Sequence, residues 1–72
     1  MDKEEIINSL VKIIATSREF CVSLTRESEI IREWAQEENL SLTKGMVRIA
    51  REKVTEMALS DGSALNHIYY GG

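Results

Sequence analysis

Three stretches of this chain repeat apolar residues every three or four positions, and no proline interrupts any of them. That spacing puts apolar side chains on one side of an α-helix, and proline is the residue that most effectively breaks one. The first stretch, 3–15, carries Ile6, Ile7, Leu10, Ile13 and Ile14, with Asn8 and Lys12 on the other side. The second, 26–38, carries Ile30, Ile31, Trp34 and Ala35. The third, 42–59, carries Leu42, Met46, Ile49, Ala50, Val54 and Met57, with Lys44, Arg48 and Arg51 on the opposite face. Lys53 falls inside that apolar arc, so it has to snorkel or lie at the edge of a contact. The expected fold class is therefore mainly α.

The junctions are less determined. Thr16-Ser17 interrupts the first pattern, and Ser17 is suited to cap the next element. Over 19–25, Phe20, Val22 and Leu24 alternate with Cys21, Ser23 and Thr25, the period of a strand. The same residues fit a helix, because Phe20, Leu24 and Ile31 fall within a narrow arc at 100° per residue. The β-branched and small polar content favours the strand. Thr25 or Ser23 is placed to cap the second helix, with Glu27 and Glu29 at its positive end. Asn39-Leu40-Ser41 reads as a turn, with Asn39 in the left-handed conformation and Ser41 as the next N-cap. Gly45 costs its helix about 1 kcal/mol relative to alanine, which suggests that another backbone approaches closely there. The expected organisation is one small domain over 1–60, with an N-terminal helix in 1–17, a core in 18–59, and a flexible C-terminal tail in 61–72.

At 72 residues the core is marginal alone, which favours a partner chain or self-association. Cys21 is the sole cysteine, so no intramolecular disulfide forms and a cytoplasmic location is expected. The first residues are acidic, unlike the basic start of a signal peptide, and no apolar run approaches membrane-spanning length. The net charge of −3 is uneven. Residues 26–38 set Arg26 and Arg32 against Glu27, Glu29, Glu33, Glu37 and Glu38, whereas 44–56 set Lys44, Arg48, Arg51 and Lys53 against Glu52 and Glu56. The basic stripe reads first as a solvated helix face and second as a phosphate-binding one. Trp34 reads as a core anchor against Ile31 and Met46. The chain has no glycine-rich phosphate loop, no catalytic triad and no paired-acid signature, so an enzyme is not expected. Cys21 has no second catalytic element beside it. His67 and Asp61 offer too few ligands for a metal, and no cofactor is implied.

The order of these elements carries a resemblance. Val22-Ser23-Leu24-Thr25 is followed by Glu29-Ile30-Ile31-Arg32-Glu33-Trp34-Ala35-Gln36-Glu37-Glu38-Asn39 and then Ser41-Leu42-Thr43. This resembles the ribbon-helix-helix family of DNA-binding repressors, of the Arc and CopG type, over about 30 residues. The resemblance implies a ribbon-helix-helix with an extra N-terminal helix. Such a chain acts as a homodimeric transcriptional regulator, because each chain donates one strand to a shared antiparallel ribbon. Cys21, Ser23 and Thr25 would then face the major groove of duplex DNA. Ser41, Thr43 and Lys44 would stand by a phosphate at the start of the last helix, with Arg48 continuing the basic stripe.

Two other readings stand beside it. The groove-facing set is poor in Arg, Lys, Asn and Gln, the chain is acidic and an extra helix precedes the strand; these departures from the family leave an all-α three- or four-helix bundle as the alternative. That bundle would be a small protein-binding adaptor or inhibitor, such as a phage- or plasmid-encoded modulator, with helix and no strand across 18–38. The third reading is a precursor peptide whose tail, ending Tyr69-Tyr70-Gly71-Gly72, is processed.

Overall fold

The computed structural model describes residues 1–60 and contains three helices: α1 (Lys3–Glu19), α2 (Leu24–Glu37) and α3 (Lys44–Ser60). The expected flexible tail, with Asp61, His67, Tyr69, Tyr70, Gly71 and Gly72, lies outside the described residues. Each helix starts on a side-chain oxygen that takes up an otherwise unpaired amide. Asp2 Oδ1 accepts from Glu5 N at 2.8 Å. Ser23 Oγ accepts from Arg26 N at 3.1 Å, and Thr43 Oγ1 accepts from Met46 N at 3.2 Å. The third helix is therefore capped at Thr43, two residues beyond the expected Ser41.

The ribbon expected over residues 19–25 is absent; the described residues contain no strand, and the architecture is the all-α alternative. The reason lies in the backbone amides. At the end of α1, Cys21 N donates to Arg18 O at 3.2 Å and Val22 N to Ser17 O at 2.8 Å, with Cys21 in the left-handed region at φ 56°. This is a Schellman closure. The N–H groups of Cys21 and Val22 already satisfy the last carbonyls of α1 and are not free for a strand ladder. Ser23 then caps α2, and Leu24 and Thr25 lie in its first turn. The alternating pattern is three local devices in succession: a helix end, a left-handed residue and a helix cap.

The second turn repeats the first. Asn39, at φ 54°, donates to Gln36 O at 3.2 Å, and Leu40 N donates to Ala35 O at 2.8 Å. Asn39 thus has the left-handed conformation expected of it.

Packing centres on α1. Both α2 and α3 pack on α1, and their backbones do not pack directly on each other. The core unites Ile6, Ile7, Leu10 and Ile14 of α1 with Ile31 of α2 and Ala50 and Val54 of α3. Leu10, Ile14 and Ala50 are wholly buried, and Trp34 and Met46 are half-buried at the margin of the core. The C-terminal end of α1 reaches α3 where Arg18 Nη1 donates to Thr55 Oγ1 at 3.5 Å. Lys53, which falls inside the apolar arc by position, is exposed and takes no part in the core. A Cβ added at Gly45 would make ordinary van der Waals contact with the side chain of Thr43, 3.7 Å from its Oγ1. Among the described residues no other backbone approaches it, contrary to the expected close approach.

Candidate binding groove

Because the backbones of α2 and α3 pack on α1 and not directly on each other, a groove of about 570 Å³ runs between them. Its apolar lining comes from both helices and the turn joining them: Ile31 and Ala35 of α2, Leu40 and Leu42 of the connection, and Val47 of α3. Ile31 and Ala35 are buried, while Leu40, Leu42 and Val47 are half-buried. The geometry is set by the chain's own turns. The closure at Asn39 turns Leu40 back over the end of α2, and the cap at Thr43 sets Leu42 just ahead of α3.

Cations border this apolar strip. Arg32 of α2 and Lys44 and Arg48 of α3 line the groove and are exposed. Among the described residues none of the three has an acidic side chain within ion-pair distance. A fourth, Arg51, is held differently. Its Nη2 stands 3.0 Å from Glu27 Oε1, and Glu27 is only 1% exposed. Oε1 nevertheless has no aligned hydrogen bond, so this is a charge contact without the geometry of a bond. The sequence assigns Glu27 to the first turn of α2 as a partner of the helix dipole; it does lie there, but buried against α3. A signal for this is present in the sequence. Glu27, Ile31 and Ala35 recur every four residues, which puts the carboxylate on the apolar stripe.

The residues expected to contact DNA are scattered. Cys21 is exposed in the left-handed turn, Ser23 spends its hydroxyl on the α2 cap, and Thr25 is exposed in the first turn of α2. Without a ribbon they share no groove-facing edge. Ser41 is exposed in the connection, and Thr43 uses Oγ1 to cap α3. Lys44 and Arg48 do come together, on the α3 side of the groove. No sequence pattern singles out Arg32, Leu40 or Val47 as groove residues. Arg32 lies in an otherwise acidic helix, and its significance appears only when α3 is placed opposite.

Among the described residues no cluster of three His, Cys, Asp or Glu side chains is placed to hold a metal. No described helix is long and apolar enough to cross a membrane. No family model matches the chain, and searches of curated proteins and solved structures found no match either.

Proposed function

We propose that this chain is a small protein-binding module that receives an acidic amphipathic helix from another protein in the α2/α3 groove. The observation that carries this reading is the groove's composition. An apolar floor of Ile31, Ala35, Leu40, Leu42 and Val47 lies beside Arg32, Lys44 and Arg48, which have no ion-pair partners among the described residues. An incoming helix with apolar residues at i, i+3 or i+4 and i+7 would fill the floor. Carboxylates beside those anchors would meet the cations, raising the association rate and rejecting basic competitors.

The test uses two synthetic helical peptides that share leucine anchors, one flanked by glutamates and the other by lysines. Titration of the labelled full chain is followed by two-dimensional NMR. The glutamate peptide is expected to shift the resonances of Leu42, Val47 and Arg48, and to bind about tenfold more weakly to Arg48→Glu. Equal binding of both peptides, or shifts confined to other surfaces, would reject the proposal. Preference for duplex DNA over the glutamate peptide would reject it as well.

A further inference from the structure

A second surface, on the other side of α2, has features of self-recognition. Between α1 and α2 lies a shallow cleft of about 330 Å³, lined by Ile13, Val22 and Ile30, with Lys12 and Thr16 on its α1 side. Phe20 stands at this cleft and is 72% exposed. Leu24, four residues on, is 66% exposed. An exposed phenyl ring beside an unfilled apolar hollow is a knob and a hole on one face. Two copies related by a two-fold axis can satisfy both at once. The knob of each enters the hole of the other.

The charges on α1 agree with that symmetry. Lys12 and Glu19 are both exposed, and among the described residues neither has an ion-pair partner. They lie two turns apart on one stripe of the helix, about 10 Å along its axis. The midpoint between them falls beside Thr16, which lines the same cleft. If two α1 helices cross antiparallel near Thr16, Lys12 of each copy meets Glu19 of the other. The same crossing carries each Phe20 toward the Lys12–Ile13 end of its neighbour's cleft. A parallel pairing would instead set like charges together.

From this we infer that the α1/α2 cleft is the interface of a symmetric homodimer, with Phe20 as its apolar anchor and Lys12–Glu19 pairs fixing its antiparallel direction. The groove between α2 and α3 takes no part in this interface.

Sedimentation equilibrium of the full chain and four variants tests the inference, with circular dichroism to verify unchanged helix content. The parent chain is expected to be a dimer at high concentration. Phe20→Ser should raise the dissociation constant about thirtyfold or more, the effect of removing an aromatic anchor. Glu19→Lys and Lys12→Glu should each weaken the dimer, and the double exchange Lys12→Glu with Glu19→Lys should restore it. A chain monomeric at millimolar concentration would overturn the inference. So would a dimer indifferent to Phe20→Ser, or a double exchange no better than its single components. Were Phe20→Ser to lose helix, isotope-filtered NOEs on mixed labelled and unlabelled parent chains decide the matter. Cross-chain contacts between Phe20 and Ile13 are expected, and cross-chain contacts at Val47 instead would assign the interface to the other groove.

Discussion

Glu27 and Arg51 form an unequal pair. The carboxylate is almost wholly buried, whereas the side chain of Arg51 is 33% exposed and lies on the groove. Burying a charge is tolerated when a partner compensates it, and removing that partner leaves the full desolvation penalty in place. The two possible deletions should therefore differ. Arg51→Met strands a buried carboxylate that already has an oxygen without a hydrogen bond, and is expected to lower stability by about 2 kcal/mol. Glu27→Met removes the buried charge itself and frees a guanidinium that reaches solvent. It should lie within about 1 kcal/mol of the parent or be more stable. Urea unfolding of the two variants checks this, and equal losses would show that the pair acts mainly through packing. The same asymmetry bears on binding: Arg51 is occupied from within, so Arg32, Lys44 and Arg48 are the cations left for a ligand.

The two turns show what an element can specify and what it conceals. Both α1 and α2 end in the same closure, with a left-handed residue at Cys21 and at Asn39. Asparagine tolerates that conformation, so the second turn is legible in the sequence. Cysteine does not ordinarily mark it, and the alternation of Phe20, Val22 and Leu24 around it imitates a strand. Periodicity over six residues does not distinguish a strand from a helix end followed by a cap, because both place polar residues at every second position. The helical faces themselves are legible: Ile6, Ile7, Leu10, Ile14, Ile31, Ala50 and Val54 are core residues, as their spacing implies. The groove is not, because it depends on how two helices are spaced across a third. Cys21 gives the element-scale prediction. Its side chain is exposed, so replacement removes no core packing, and glycine relieves the left-handed strain at some cost in unfolded-state entropy. Cys21→Gly should raise stability by about 0.5–1 kcal/mol, and Cys21→Val should lower it. Chemical denaturation of both variants checks the pair. A glycine variant less stable than the parent would mean that the thiol contributes something its exposure does not reveal.

At the scale of the whole molecule, a core of this size leaves little margin. Few large side chains in the described residues are wholly buried, and Phe20, Leu24, Met57 and Leu59 stay exposed. A chain this short buries a smaller share of its surface than a larger domain does, and association is one way such chains gain stability. Anything that binds the folded form and not the unfolded form shifts the unfolding equilibrium by mass action. A dimer through the α1/α2 cleft therefore predicts a midpoint temperature that rises with total protein concentration. Phe20→Ser should shift that dependence to higher concentration while leaving the dilute-limit midpoint nearly unchanged, because a side chain 72% exposed contributes little to the monomer's own core. The glutamate-flanked peptide should also raise the midpoint, in parent and Phe20→Ser alike, since its groove lies between α2 and α3. Thermal scans over a hundredfold range of concentration, with and without peptide, separate the two surfaces. Stabilisation by peptide that disappears in Phe20→Ser would show that they are one site, or coupled, and would reject the division of labour between them.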